Sequence, residues 1–113
     1  MTDYDKSNDT AIIILITCKD EEEATSISHG LVKRDLIACG NILKDVTSIF
    51  HWQGEVEQDD EVLLIAKSRK GRLDQIVRVV KDLHSYQTPE VIAMPIIGGS
   101  GDYLQWIYDE TGG

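Results

Sequence analysis

The sequence predicts an α+β domain whose elements alternate in the order βαββαβ, with a short helix near the carboxyl end. Apolar residues at three- and four-residue spacing indicate two amphipathic helices, and runs of β-branched residues indicate four strands. The length of 113 residues suits one domain, and the hydrophobic fraction of 42% is sufficient for a core. We expect a flexible tail over 1–10 and a single domain over 11–113.

The first strand and helix are marked by a change from apolar to acidic residues. Residues 12–16 form a continuous Ile and Leu run, which favours a central position in the sheet. Asp20 and Glu23 have capping-box spacing, which predicts a helix start rather than a metal site for this acidic segment. The predicted buried stripe of the helix comprises Ala24, Ile27, Ser28, Leu31 and Val32.

The middle of the chain predicts a long β-hairpin. Apolar residues over 36–52 do not alternate strictly, which indicates a bulge or a bend in the second strand. Gln53 and Gly54 have the residue types of a hairpin turn, and the return strand over 55–67 is polar at first and apolar at its end. We expect the polar half to project and to pair with another chain, because exposed strand edges are usually protected.

The last third of the chain predicts a helix over about 71–84, a strand over 91–97 and a final helix. Pro95 lacks a backbone donor, which predicts an edge position for the last strand. Asp102 is predicted to cap the final helix. The whole order is that of the ferredoxin-like fold, in which two helices pack on one face of a four-stranded antiparallel sheet.

The charge balance and the apolar runs argue against several classes of partner. The chain has 20 acidic and 11 basic residues, a formal charge of −9. Nucleic-acid binding depends on Lys and Arg, so we expect no nucleic-acid partner. No run approaches the roughly 18 apolar residues of a membrane span, so we expect no membrane association. The polar, acidic segment 1–10 is unlike a secretory signal, which favours a cytoplasmic location.

The candidate metal ligands are Cys18, Cys39 and His84. Cys18 follows the first strand and precedes a helix, where the helix dipole stabilises a thiolate. Thiolate and imidazole ligands favour copper or zinc over magnesium. The structural alternative is a packed thiol at Cys18 and a His84 that caps helix carbonyls. The predicted fold does not require Cys18 and His84 to meet within one subunit.

No local pattern signals catalysis. A Ser–His–acid triad or a Cys–His pair needs partners that the fold brings together, and the three His and two Cys residues are scattered along the chain. We therefore expect no enzymatic activity, with an unrecognised site between subunits as the least favoured alternative.

An ordered series of short motifs covers residues 11–108. It comprises Asp20-Glu21, Leu36-Ile37-Ala38-Cys39, Thr47-Ser48-Ile49, Trp52-Gln53-Gly54, Glu61-Val62, Lys67, His84-Ser85-Tyr86-Gln87-Thr88-Pro89-Glu90 and Tyr103-Leu104-Gln105-Trp106. Each motif is weak alone, but their order is specific, and together they resemble the CutA family of divalent-cation tolerance proteins.

The resemblance implies a ferredoxin-like subunit in a tight homotrimer, similar in plan to the PII signalling proteins. It also implies copper tolerance, with copper binding in some members and no established enzymatic activity. In members with a copper site, the pattern is a Cys in the first strand and paired His before the loop. Here Ile16 and Leu83 stand at two of those positions, and Ser85 replaces a proline common in the loop. Cys18 is the predicted substitute on the same strand face.

Two hypotheses follow for function. The first is a homotrimeric protein that binds copper or a related metal ion through the three candidate ligands. The alternative is a PII-like sensor or scaffold that binds a small molecule or a protein partner in clefts between subunits. Its candidate residues are Trp52, Lys67, Tyr86 and Glu90, because loops carry binding residues disproportionately. Nucleotides and small anions are the ligands to screen for this alternative.

Overall fold

A computed structural model describes residues 9–112 of the chain. The elements are β1 (Ala11–Cys18), α1 (Glu21–Lys33), β2 (Cys39–Trp52), β3 (Glu55–Arg69), a 3-10 turn (Lys70–Arg72), α2 (Leu73–Leu83), β4 (Val91–Pro95) and α3 (Gly101–Glu110). The predicted βαββαβ order and the additional carboxyl-terminal helix are confirmed.

The four strands form one antiparallel sheet in the order β2-β3-β1-β4. The predicted central position of the first strand is confirmed, because β1 pairs with β3 on one side and β4 on the other. Pro95 lies opposite Ile12 on β4, which is an edge strand, as its missing donor predicts.

The main core lies between the sheet and the two helices α1 and α2. Alternate side chains of β1 point to this side, as expected for the two-residue period of a strand. The buried residues are Ile12, Ile14, Ile16, Cys18, Ala24, Ile27, Leu31, Leu36, Ile37, Val62, Leu64, Ala66, Ile76 and Val80. Helix α3 forms a smaller core with Ala11 through Leu104, Ile107 and Tyr108. Because Ala11 precedes Ile12 by one residue, α3 packs on the opposite face of the sheet.

The long hairpin has the predicted bulge and turn. The pairing of β2 with β3 shifts register between Leu43 and Val46, and Asp45 within the bulge has a φ of 63°. Gln53 and Gly54 both have positive φ, 50° and 82°, as a two-residue turn of type I′ requires. The turn geometry therefore fixes which residues of β2 and β3 face each other.

Some predicted details are wrong. Val32 is 44% exposed and does not belong to the buried stripe of α1. The residue before α3 is Ser100, which makes no side-chain capping bond, and Asp102 lies inside the first turn instead of capping the helix. β2 begins at Cys39 because Leu36 and Ile37 enter the core as a connection before the strand. No helix within 9–112 is long and apolar enough to cross a bilayer.

The chain is held in place from Asp9 onward. The Asp9 carboxylate forms an ion pair with Arg69 and accepts a hydrogen bond from the Gly71 backbone at 2.7 Å. The Thr10 carbonyl accepts one from the Lys70 N–H at 2.8 Å. The predicted flexible tail otherwise falls on residues 1–8, which lie outside the described residues.

Glu23 joins the start of α1 to the loop after α2. The Asp20 carboxylate accepts the Glu23 N–H at 2.8 Å, and Glu23 Oε1 accepts the Lys19 N–H at 3.0 Å, as in a capping box. Glu23 Oε2 accepts the Ser85 N–H at 2.8 Å. Burial acts to raise the pKa of Glu23, but the hydrogen bonds from Lys19 and Ser85 outweigh it and hold the pKa below 4.5. The carboxylate is therefore ionised at neutral pH.

Shortening Ile14 tests the main core. Ile14 is fully buried in β1, so Ile14→Ala is expected to lower the free energy of unfolding by about 2–5 kcal/mol. Urea denaturation at fixed protein concentration measures the change. The control Ile97→Ala removes an exposed side chain and should change stability by no more than about 0.5 kcal/mol. Equal effects of the two variants would contradict the assigned core.

Removing the charge of Glu23 tests the link between α1 and the loop. Glu23→Gln should cost about 1–2 kcal/mol at pH 7, because two backbone donors lose a charged acceptor. A carboxyl whose folded-state pKa is lowered stabilises the fold above its ordinary value of 4.5, and loses that effect as pH falls through the folded-state pKa.

The difference between wild type and Glu23→Gln should therefore shrink as pH falls below 4.5. Denaturation curves from pH 3 to 7 measure it. Glu22→Gln, in the same helical turn and exposed, is the matched control and should show little effect. A pH-independent difference for Glu23→Gln would argue against a stabilising carboxylate.

Candidate functional site

Three side chains with metal-binding atoms meet where β1 ends, α1 begins and α2 ends. One donor atom each from Cys18, Glu23 and His84 lies within 4.8 Å of the others. Cys18 is the last residue of β1, Glu23 lies in the first turn of α1, and His84 directly follows α2. The fold thus brings Cys18 and His84 together within one subunit, which the sequence left open. We call these three residues the ligand cluster.

His84 is buried, and both of its ring nitrogens have partners. Nδ1 accepts the Tyr86 N–H at 3.1 Å, so Nε2 carries the proton and donates it to the Thr17 carbonyl at 2.7 Å. The ring therefore donates to a carbonyl of β1. The alternative to metal binding had predicted that His84 caps carbonyls of its own helix, and this is not observed. A backbone carbonyl on one nitrogen is also the arrangement that orients a histidine whose other nitrogen binds metal.

Cys18 is fully buried and protonated. Burial, and after it the negative charges of Glu23, Glu61 and Asp20, together raise the pKa of its thiol to about 12. The sequence argument placed a thiolate here, stabilised by the helix dipole. In the structure, desolvation and nearby negative charge outweigh the dipole.

The ligand cluster fits a metal ion such as zinc or copper. Sulfur, imidazole and carboxylate are the donor types that these metals accept. His84 Nδ1 and Glu23 Oε1 are 3.8 Å apart, which is compatible with two ligands on one ion. Glu23 keeps free lone pairs beside its two hydrogen bonds. Binding would replace the Tyr86 N–H on Nδ1 and release the Cys18 proton.

The two positions at which the chain departs from the copper-site pattern offer no donor atoms. Ile16 is fully buried in the core, and Leu83 is 41% exposed at the end of α2. Glu23, which the sequence argument treated only as a helix cap, is the additional potential ligand. Glu23 follows Cys18 by five residues, and this spacing is not a recognisable metal-ligand motif. Only the turn from β1 into α1 places it next to the thiol.

Cys39 does not belong to the ligand cluster. It lies opposite Lys67 on β3, whereas Cys18 lies opposite Val62. Five residues along a strand correspond to about 17 Å, so the two thiols cannot share an ion within one subunit. Cys39 Sγ is instead 4.0 Å from the Lys67 Nζ, which also bonds to the Asn41 side chain.

A cavity of about 560 Å³ lies between the hairpin and the loop after α2. Its lining residues are Thr17, Ser48, Ile49, Phe50, Trp52, Glu57, Asp59, Glu61, Tyr86, Gln87, Thr88 and Glu90. Trp52, Tyr86 and Glu90, three of the four residues predicted for a ligand cleft, are therefore gathered here. Lys67 does not line this cavity.

The cavity is negatively charged. Four of its lining residues are acidic, and none is Lys or Arg. The Tyr86 hydroxyl donates to Glu61 Oε2 at 2.7 Å; burial and this bond raise the pKa of the phenol. Burial, and then the charge of Glu61, raise the pKa of Glu90. Sequence reasoning missed Glu57, Asp59 and Glu61, although their alternation on one strand places them on one face.

Comparison with known proteins identifies the family. The profile of the CutA1 divalent ion tolerance protein matches residues 12–110. The chain is 43% identical to the divalent-cation tolerance protein CutA of Thermus thermophilus over 100 residues, which cover 88% of this chain and 97% of that protein. It is 40% identical to a CutA homolog of Xenopus laevis over 94 residues, covering 83% of this chain and 62% of that protein.

Solved structures agree with the sequence matches. The Cut A1 structure from Thermus thermophilus has a TM-score of 0.90 at 42% identity, covering 91% of this chain and 100% of that one. The CutA1 structure from a psychrotrophic Shewanella species has a TM-score of 0.87 at 39% identity, covering 91% and 96%. A family profile that spans nearly the whole chain, together with these identities, shows that the chain belongs to the CutA1 divalent ion tolerance family.

Proposed function

We propose that this protein is a homotrimeric divalent-cation tolerance protein that binds copper or a related metal ion at the ligand cluster, without catalysis. The observation that carries the metal assignment is the approach of Cys18, Glu23 and His84 donor atoms to within 4.8 Å. Membership of a family named for divalent ion tolerance supports the same class of ligand. The cytoplasmic location stays a prediction.

The donor set favours a soft or borderline ion over magnesium or calcium. Magnesium and calcium take six or more oxygen ligands, and the ligand cluster offers one carboxylate. Sulfur and imidazole suit copper and zinc. Cys39, the third predicted ligand, lies outside the ligand cluster and is not part of the proposed site.

Metal titration tests this assignment. Cu(I), held in a competing chelator, and Zn(II) are titrated into wild type and the variants Cys18→Ser and His84→Ala. Each variant should weaken binding by at least about tenfold, because a ligand atom is lost. Cys39→Ser, which changes a thiol about 17 Å away, is the matched control and should bind as wild type does. Binding that is unaffected by Cys18→Ser would overturn the assignment.

The pH dependence gives an independent test of the same site. Because the pKa of the Cys18 thiol is about 12, metal must displace its proton at any pH near neutral. The apparent affinity should therefore rise about tenfold per pH unit between about pH 6.5 and 8.5, because one thiol proton is released for each ion bound. Chelator competition at several pH values measures the slope, and a flat profile would show that the thiol is not a ligand.

The uncovered face of the sheet supports the proposed homotrimer. Helices α1 and α2 cover one face, and α3 covers only the end near Ala11. On the remaining part of that second face, Ile92 and Met94 of β4 are 53% and 46% exposed, and Leu43 of β2 is 44% exposed. Exposed apolar side chains on both edge strands of one sheet face favour an interface on that face. Copies of this chain would also cover the edges of β2 and β4.

A charge on this face should break the assembly. Ile92→Glu is expected to convert the trimer to monomers, because an unpaired carboxylate would be buried at each contact. Size-exclusion chromatography with light scattering measures the mass. Val32→Glu changes a side chain of α1 that is 44% exposed, against 53% for Ile92, and should leave the trimer intact. A wild-type monomer at micromolar concentration would refute the proposal.

A second candidate function, a small-molecule sensor, is favoured by the cavity next to the hairpin. Trp52, Tyr86 and Glu90 were predicted for a ligand cleft, and they line one cavity of about 560 Å³. That volume falls in the range of small-molecule sites. Nucleotides and small anions, the ligands that the sequence suggested for screening, are disfavoured by its acidic lining.

A further inference from the structure

We propose that Tyr86 gates the ligand cluster, so that metal binds there only when the loop after α2 moves away from it. This loop comprises residues 84–90, between the end of α2 and the start of β4. The inference rests on the proposed metal function and concerns how the same site is regulated.

The ligand cluster is closed to solvent. Cys18 is fully buried, and the side chains of His84 and Glu23 are only 0% and 8% exposed. An ion therefore cannot reach the three donor atoms unless a neighbouring segment moves. β1 is bonded to a strand on each side, and α1 begins with a hydrogen-bonded cap. The loop forms neither helix nor strand, so it is the adjoining segment that opens at the least cost.

The loop occupies lone pairs that a metal ion needs. The Tyr86 N–H donates to His84 Nδ1 at 3.1 Å, and the Ser85 N–H donates to Glu23 Oε2 at 2.8 Å. A neutral imidazole has one acceptor nitrogen, and the other nitrogen of this ring donates to the Thr17 carbonyl. Metal binding and the Tyr86 N–H therefore exclude each other at Nδ1.

The side chain of Tyr86 holds the loop in this closed position. Its hydroxyl donates to Glu61 Oε2 at 2.7 Å, and Glu61 lies on β3. Its ring lies beside the His84 ring, with the centroids 4.7 Å apart. Because ring and backbone belong to one residue, the bond to Glu61 stabilises the bond to His84. All of these contacts are made within one subunit, so none needs a surface that the proposed homotrimer would cover.

Titration of Zn(II) against a competing chelator tests the gate in Tyr86→Phe. This variant removes the hydroxyl and keeps the ring and the N–H, so the open loop should become more populated. Because only the open loop admits the ion, the apparent affinity should rise about three- to tenfold. The variants Cys18→Ser and His84→Ala change the affinity in the opposite direction.

Tyr103→Phe is the matched control for this titration. It removes the same atom from an exposed ring on α3 and should bind Zn(II) as wild type does. Unchanged or weaker binding by Tyr86→Phe would overturn the gate, because the hydroxyl would then not oppose the bound state.

Amide hydrogen exchange followed by NMR gives a second test, on the wild-type protein. The Tyr86 amide should be protected by its bond to His84 and should exchange at least about tenfold faster at saturating Zn(II). The His84 amide, which donates to the Val80 carbonyl at 2.8 Å, is the internal control and should keep its exchange rate. An unchanged rate for Tyr86 at saturation would contradict the release of the loop.

These measurements separate the gate from the function on which it rests. Zn(II) binding that depends on Cys18 and His84, with no change in either Tyr86 measurement, would reject the gate and keep the metal assignment. If Zn(II) does not bind to wild type, or binds equally well to His84→Ala, both the gate and the metal assignment are rejected.

Discussion

The burial of one face of β1 is the constraint on which the rest of the structure depends. Its alternate side chains from Ile12 to Cys18 are covered by α1 and α2, while β3 and β4 bond to both of its edges. Because one face and both edges of β1 are in contact with other elements, its carboxyl-terminal end has a fixed position. Residues of both candidate sites lie at this end. Cys18 contributes to the ligand cluster on the helix side, and Thr17 lines the cavity next to the hairpin on the other side.

The loop after α2 connects these two sites. His84 lies beside Cys18, and two residues later the Tyr86 hydroxyl donates to Glu61 in the cavity next to the hairpin. Tyr86 also donates its N–H to His84, so one short segment contributes side chains to both. The two sites differ in the groups they bring together. The ligand cluster contains a buried thiol that keeps its proton, whereas the cavity next to the hairpin gathers four acidic side chains, of which Glu61 is buried.

Much of the fold could be predicted because its signals are local. The cap formed by Asp20 and Glu23, the bulge in β2 and the turn at Gln53-Gly54 each depend on neighbouring residues, and all three are present. The predictions that were wrong are those in which the tertiary surroundings of a residue outweighed its local sequence pattern. Val32 fits a helical stripe but lies beyond the area that the sheet covers. The helix dipole at Cys18 is a local effect, and burial with three nearby carboxylates outweighs it.

The sequence by itself determined the order of the elements, the central place of β1 and the family, because periodicity, turn residues and ordered motifs are properties of the chain alone. The tertiary structure decided which functional groups meet. It put Glu23 beside Cys18 and His84, separated Cys39 from them, and turned three acidic residues of β3 toward Trp52 and Tyr86. Such distances follow from how strands and helices pack across long sequence separations, and no spacing along the chain encodes them.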